Sequence, residues 1–325
     1  MDLSIKYLGY TLKNPIIVGS SGLTNSVDKI KKLEANNAGA VVLKSLFEEQ
    51  IISQATQEAT DYMYPEAYDY VKEYSKSFSI DRYLKLIETA RKEVKIPVIA
   101  SINARSNGDW VDFAKRVESA GSHGIELNVS ILPTDEKMTC KDVEQIHLKI
   151  LENVKKQISI PISVKISSYS SGLSNLVQQI AWSKTVESIV MFNRFYNPDI
   201  DINKMEVTVS NVFSSAEDLM PSLRWIAMLA EKYKSTSFVA STGVYTGEDA
   251  IKQILVGADA VQVVSAIYKH GEGYIGTILN QIKDWMKAKK FHSITDFKGK
   301  MSLSKQVNQN VFERVQFMKY YGNVE

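Results

Sequence analysis

The residues best suited to chemistry are two lysines and three asparagines, each near the carboxyl end of a short β-branched run: Lys44-Ser45, Asn103, Asn128, Lys165 and Asn193. An ammonium group stabilises negative charge and a carboxamide offers both a donor and an acceptor edge, so together they suit a planar heteroaromatic ring with carbonyl oxygens. One such residue alone reads as an internal hydrogen bond or salt bridge; five that converge imply a ligand. Two later runs end in Ser241-Thr242-Gly243-Val244 and Val263-Val264-Ser265-Ala266, the second opening a helix. Backbone N–H groups and a helix N-terminus attract anions, so these ends suit a phosphate, although Ser-Thr-Gly also makes an ordinary turn and Ser265 an ordinary cap. His123, His147, His270 and His292 lack metal-ligand spacing, and their expected places are helix ends or surfaces. Cys140 reads as a loop or helix-cap neighbour rather than a nucleophile, and no metal site is expected.

Convergence requires a scaffold that brings strand ends together. A glycine turn closes a helix and precedes a β-branched run at Ala38-Gly39-Ala40, Ala120-Gly121-Ser122 and Gly257-Ala258-Asp259, while Ile96-Pro97 and Ile160-Pro161 introduce two further runs. Strands are expected at 15–18, 41–43, 98–100, 124–127, 162–164, 188–192, 238–241 and 260–263. Helices are expected at 27–36, 81–94, 109–120, 142–157, 173–184, 221–234, 247–256 and 266–288. Strictly alternating strands and helices imply right-handed parallel crossovers, and eight units close as a (β/α)8 TIM barrel, an α/β fold. A doubly wound sheet is disfavoured because no Gly-x-Gly-x-x-Gly turn follows the first strand and eight units would make a long open sheet. Residues 3–13, with Gly9 between short apolar runs, read as an N-terminal hairpin plugging the barrel's bottom. The long connections 45–80, 129–141 and 194–220 all follow strands, which puts these insertions on the C-terminal face. Tyr62, Tyr64, Tyr68, Tyr70 and Tyr74 in the first either line a substrate wall or pack the loop. Residues 1–302 read as a single barrel domain and 303–325 as a C-terminal helical extension.

With 44% hydrophobic and 23% charged residues the chain has an ordinary globular composition. Its 39 Lys+Arg against 37 Asp+Glu give no strongly positive field, so a small molecule rather than nucleic acid is the expected partner. The single cysteine excludes an internal disulfide framework, an iron–sulfur cluster and a multi-cysteine zinc site, and fits a reducing compartment. No basic segment with an apolar h-region and no apolar run of ~18 residues occurs, so neither secretion nor a membrane partner is expected, and the cytoplasm is the expected location.

In order and spacing the sequence resembles the dihydroorotate dehydrogenases, particularly the soluble class 1 enzymes and the dihydroorotate dehydrogenase-like proteins. The resemblance spans roughly residues 3–302 and rests on Asn14-Pro15, Ser20-Ser21-Gly22, Ala38-Gly39-Ala40 to Lys44-Ser45, Glu126-Leu127-Asn128, Val164-Lys165, Phe192-Asn193, Thr246-Gly247-Glu248-Asp249-Ala250, Gly257-Ala258, Val261-Gln262 and Asp296-Phe297-Lys298-Gly299-Lys300. It implies a flavin mononucleotide (FMN) oxidoreductase acting on a small dihydropyrimidine-like substrate such as dihydroorotate, in pyrimidine biosynthesis. It puts Lys165 at the flavin pyrimidine edge, where a cation stabilises the reduced ring. It implies cofactor contacts from Ser21, Lys44, Ser45, Asn103, Asn128 and Asn193, substrate contacts from Lys44, Asn128, Asn193 and Arg194, and phosphate contacts around Thr242, Gly243 and Ser265. A homodimer and fumarate as acceptor follow from the class 1 likeness.

The sequence departs from that pattern where the proton is handled. The family's fourth-strand loop reads Asn-x-Ser-Cys-Pro-Asn, its cysteine (a serine in the membrane-associated class) taking the substrate proton; here it reads Asn128-Val129-Ser130-Ile131-Leu132-Pro133. Ile131 cannot be a base. Ser130, pointing to the opposite face of an extended segment, and Thr134, Asp135 or Glu136 are weak substitutes. The family's Asn-Ser-Met-Gly-Leu-Pro-Asn substrate loop is replaced by Tyr62-Met63-Tyr64-Pro65, and its next asparagine falls at or near Pro133. Arg194 stands where the family has a small hydroxyl residue, and brings either a cation to a substrate carboxylate or an outward salt bridge. Ser214-Ser215 and Val264 replace glycines near the flavin phosphate. Two alternatives stay open: a flavin- or ligand-binding barrel that has lost dehydrogenase activity, and a flavin-free phosphate-ligand barrel lyase or isomerase using Lys165 or Lys44.

Overall fold

The computed structural model describes residues 1–47, 65–103, 107–129, 131–195, 197–306 and 310–313. The chain begins with an antiparallel hairpin of β1 (Ile5–Tyr7) and β2 (Tyr10–Leu12). Leu8 and Gly9 turn it with φ of 48° and 80°, the left-handed pair of a tight two-residue hairpin loop.

Eight short strands follow as the centre of the molecule: β3 (Ile16–Val18), β4 (Ala40–Val42), β6 (Val98–Asn103), β7 (Gly124–Asn128), β8 (Ile162–Ile166), β9 (Ser188–Met191), β12 (Ser237–Ser241) and β13 (Ala260–Val263). Each pairs parallel with the next, and β13 returns to β3 while β4 pairs with β6, so the sheet closes into a (β/α)8 barrel. Strands covered on both faces need near-continuous apolar sequence, and Ile16, Ile17, Val18, Ala40, Val41 and Val42 are fully buried. A short β5 (Leu46–Phe47) resumes the second strand's path beyond Lys44 and pairs with the far end of β6. The β1–β2 hairpin covers the amino ends of the strands: Leu8 packs beside Gly124, the first residue of β7, and the buried Tyr7 phenol faces the Ser163 and Ser188 hydroxyls.

Helices fill the connections, with corrections to the expected bounds. The helix expected from 81 begins at Pro65 and runs to Glu93; no amphipathic stripe marks its length, and its early tyrosines resemble loop packing in sequence. Tyr62 and Tyr64 lie outside the described residues. The final helix is two, Ser265–His270 and Tyr274–Ala288, separated by Gly271 at φ 81°. The connection 194–220 carries an unexpected antiparallel hairpin of β10 (Pro198–Asp201) and β11 (Glu206–Val209). The helix expected at 142–157 starts at Cys140 because Thr139 and Asp142 form a capping box. Beyond the barrel, Asn310–Glu313 forms a short helix, and residues 314–325 lie outside the described part.

Two histidines expected at helix ends or surfaces are partly or wholly enclosed. His147 is buried in the middle of the helix Cys140–Lys155, its Nδ1 2.8 Å from the Val143 carbonyl. His123, in the turn before β7, accepts the Val98 N–H at 2.9 Å and lies against the Arg91 guanidinium. Burial, and the Arg91 charge beside it, push the His123 imidazole down to about 4 from 6.5. Protonation therefore favours the unfolded chain, so its contribution to stability is present above pH 6.5 and is lost as pH falls towards 4. We expect the denaturant midpoint to drop across that window and His123→Gln, which keeps an acceptor for Val98, to flatten the drop; an unchanged slope in the variant would contradict the assignment.

Candidate active site

The carboxyl ends of the strands surround a cavity of about 250 Å³. Lys165 on β8 is at its floor, opposite Asn128 in the β7–β8 register, and Asn193 follows β9 at the wall. The Lys165 ammonium donates to Gln262 Oε1 at 2.9 Å, and Gln262 Nε2 donates to Glu126 Oε2 at 2.6 Å. Glu126, on β7, is fully buried. Burial pushes the Glu126 carboxyl up and the Lys165 ammonium down from their usual values, and the attraction between the two opposes both shifts.

The ends of β12 and β13 line the same cavity. Thr242 takes φ 82°, uncommon for a β-branched residue, and its Oγ1 holds that turn by donating to the Phe192 carbonyl at 2.9 Å. Gly243 follows at φ 76°, and a Cβ there would come within 2.2 Å of the Leu219 backbone nitrogen, so glycine is required both by conformation and by space. Ser265 Oγ accepts from the Ser214 N–H at 3.1 Å and from the Ser214 hydroxyl at 3.0 Å, which ties the connection after β9 to the end of β13. Tyr245 adds a hydroxyl contact to the Ser214 carbonyl.

Of the residues expected from sequence, Lys165, Asn193, Arg194, Thr242, Gly243 and Ser265 line this one cavity. The others stand beside it or away from it. Ser45 lies behind the lining residue Ser20, its hydroxyl 2.9 Å from that of Ser20 and 2.7 Å from that of Ser101. Asn128 is buried at the end of β7 and Asn103 half-buried at the end of β6. Ser21 accepts from Leu23 N at 3.3 Å in a local turn. Lys44 is exposed, outside the cavity wall. Ile131 is half-buried against the core, Thr134, Asp135 and Glu136 are exposed and not among the residues lining the cavity, and Ser130 lies outside the described residues.

Arg194 lines the cavity and is also engaged with the connection after β9. Its guanidinium donates to the Asn211 and Val212 carbonyls at 2.7 and 2.9 Å, and its Nε is 3.7 Å from Asp218. It thereby fastens the base of the β10–β11 connection over the cavity. A second cavity of about 190 Å³ shares Asn193, Arg194, Ser241 and Thr242 with the first, and the stacked rings of Tyr169 and Phe195, 5.0 Å apart, stand in its wall. Among the described residues no group of three or more His, Cys, Asp and Glu side chains is placed to hold a metal ion.

Sequence reasoning gave no role to Glu126, Gln262 or Ser20. A signal existed for the first two: each is polar inside an otherwise apolar strand, and Glu126 shares a strand face with Asn128 by the period of two.

The dihydroorotate dehydrogenase family model matches residues 2–286. The chain belongs to the dihydroorotate dehydrogenase family. It is similar to the catalytic subunit of dihydroorotate dehydrogenase B (NAD(+)) of Thermoplasma acidophilum, 26% identical over 316 residues that cover 92% of this chain and 98% of that one. It is also similar to a putative dihydroorotate dehydrogenase A (fumarate) of Aquifex aeolicus, at 23% identity over 94% of this chain and 100% of the relative. A chloroplastic dihydropyrimidine dehydrogenase (NADP(+)) of Arabidopsis thaliana matches at 24% over 92% of this chain and 76% of its own length. Membership makes this chain a dihydroorotate dehydrogenase-like oxidoreductase, and the family is flavin-dependent in general. No helix among the described residues is long and apolar enough to cross a membrane.

Removing the Arg194 fork leaves two loop carbonyls and Asp218 without their donor. Arg194→Ala should destabilise the fold by ~1–3 kcal/mol and speed proteolytic cleavage within 198–209. Arg194→Lys should recover only part, because one ammonium does not reproduce the fork. Unchanged cleavage in Arg194→Ala would remove the fastening role.

Proposed function

We propose that this family member is an FMN-dependent oxidoreductase that oxidises a small cyclic amide of the dihydropyrimidine kind, with dihydroorotate the first candidate and pyrimidine biosynthesis the setting. The observation that carries the reading is that the ammonium of Lys165 and the Thr242, Gly243 and Ser265 turns line one cavity. The donor set fits the cofactor: a cation, carboxamides, small and hydroxyl residues, and Val212, Val244 and Val264 as apolar wall. In this reading Lys165, Asn193 and Ser20 hold the ring, Ser265 and the Thr242-Gly243 turn face the phosphate, and Ser21, Lys44, Ser45, Asn103 and Asn128 complete the cofactor side. Lys44, Asn128 and Asn193 take the substrate amides. Arg194, which lines the same cavity, stands with them on the substrate side and also holds the connection after β9.

FMN, when bound, supplies the hydride acceptor; the chain supplies charge and orientation. Lys165 stabilises the negative charge that reduction brings to the ring edge. Ile131 takes no proton, and the exposed Thr134, Asp135 and Glu136 are not among the residues that line the cavity. That observation favours a second reading, a flavin- or ligand-binding barrel that has lost dehydrogenase activity. A homodimer in the cytoplasm is the assembly we propose: two-fold dimers are the commonest oligomers, and Ile200, Ile202, Met205, Val207 and Val209 give the β10–β11 hairpin an exposed apolar surface.

Purified protein reconstituted with FMN should show the flavin band near ~450 nm and lose it when mixed anaerobically with dihydroorotate. Ile131→Cys places a thiol at the family's base position and should speed that bleaching by ~10²- to 10⁴-fold. Protein that stays colourless with FMN would overturn the reading. A bound flavin that no dihydropyrimidine bleaches, in wild type or Ile131→Cys, would establish the second.

A further inference from the structure

Glu126 is a fully buried carboxyl group at the centre of the barrel, and neither the cavity wall nor the proposed chemistry uses it directly. Its Oε2 accepts from the Gln262 amide, while its Oε1 has no hydrogen-bond partner among the described residues. A buried carboxylate of this kind is costly unless its charge is answered. The titratable groups that face it are Lys165 from β8, the Tyr7 phenol from the β1–β2 hairpin and the Tyr83 phenol from the helix Pro65–Glu93. Burial and the Glu126 charge both hold the two phenols neutral, and Tyr83 is further tied to the β6 backbone by hydrogen bonds to Ser101 at 2.8 and 3.0 Å. Lys165 is thus the cation that answers Glu126.

The link between them is directional. The Gln262 amide has one acceptor and one donor end, and only one orientation turns the oxygen to the ammonium and the NH₂ to the carboxylate. Gly19 leaves room for that amide, since a Cβ there would come within 3.2 Å of Gln262 Oε1. We propose that Glu126 is a positioning residue, acting through the oriented amide of Gln262 to keep Lys165 protonated and held at the cavity floor. The proposal concerns the chain's own charge. Its use in stabilising a reduced ring rests on the flavin reading above.

The ionisation of Lys165 is readable without flavin. It lines an open cavity, so a small amine-acylating reagent reaches it, and only the neutral amine reacts; mass spectrometry of the Lys165 peptide across a pH series gives its titration. Glu126→Gln keeps shape and removes charge, and should move the onset of Lys165 labelling to lower pH by more than one unit, a more than tenfold gain in neutral amine at fixed pH. The double variant Glu126→Gln/Gln262→Glu reverses the chain, with an amide donor at 126 and a carboxylate at 262 accepting from it and from Lys165. It should fold and return the onset to the wild-type pH or above. If Glu126→Gln alone does not fold, refolding by the double variant supports the proposal, because packing at 126 is the same in both. Superimposable labelling profiles for wild type and Glu126→Gln would overturn it. FMN titration of the same proteins separates the two readings: a labelling shift without FMN uptake upholds the positioning role and overturns the flavin assignment.

Discussion

A single amide joins an ammonium and a carboxylate in the middle of this barrel, and much of the architecture follows from having to keep them there. Lys165, Gln262 and Glu126 come from β8, β13 and β7, so the chain of hydrogen bonds spans the barrel rather than running along one strand. Such an arrangement survives only where each partner is fixed and each charge is answered, because a half-answered buried charge is worse than an apolar core. The β1–β2 hairpin closes the amino end beneath Glu126 with Tyr7, and the Ser20, Ser45 and Ser101 hydroxyls brace the ends of three neighbouring strand paths.

The mouth is built on the opposite principle, with polar groups committed to shaping the backbone. Thr242 and Gly243 accept left-handed conformations so that the end of β12 passes close under Leu219, and Arg194 and Ser214 tie the long connection after β9 to the wall. These contacts fix the rim while leaving Lys165 and Asn193 facing the cavity. Neighbouring residues share the rim: Asn193 and Arg194 both line the site, and Arg194 also secures the connection after β9.

The barrel was legible in the sequence because its punctuation is local. Glycine caps and Ile-Pro entrances sit within a few residues of the strands they introduce, and the helix Gly247–Val256 and strand Ala260–Val263 coincide with their expected bounds. The stretch 65–80 of the long helix and the β10–β11 hairpin were not, since neither carries in sequence the periodicity of an element packed on a core; every residue of β11 is exposed. Within the cavity, Lys165, Thr242, Gly243 and Ser265 were legible as lining residues because each stands at or beside the end of a strand. The Glu126–Gln262 pair escaped because its members stand 136 residues apart, and a pattern read along the chain sees two isolated polar interruptions. Arg194 was ambiguous for a similar reason: its acceptors are backbone carbonyls 17 and 18 residues away, and carbonyls leave no mark in side-chain sequence.

If the cavity holds FMN as proposed, the flavin ring lies at the Lys165 ammonium and the phosphate at the Thr242-Gly243 and Ser265 turns, all of which line it. A crystal structure of the protein grown with FMN tests it most directly. The account predicts the flavin ring's pyrimidine edge within hydrogen-bonding distance of Lys165 Nζ, with the Gln262 oxygen still turned to that ammonium and the phosphate at Ser265. A flavin bound elsewhere, or one whose ring lies away from Lys165, would contradict it.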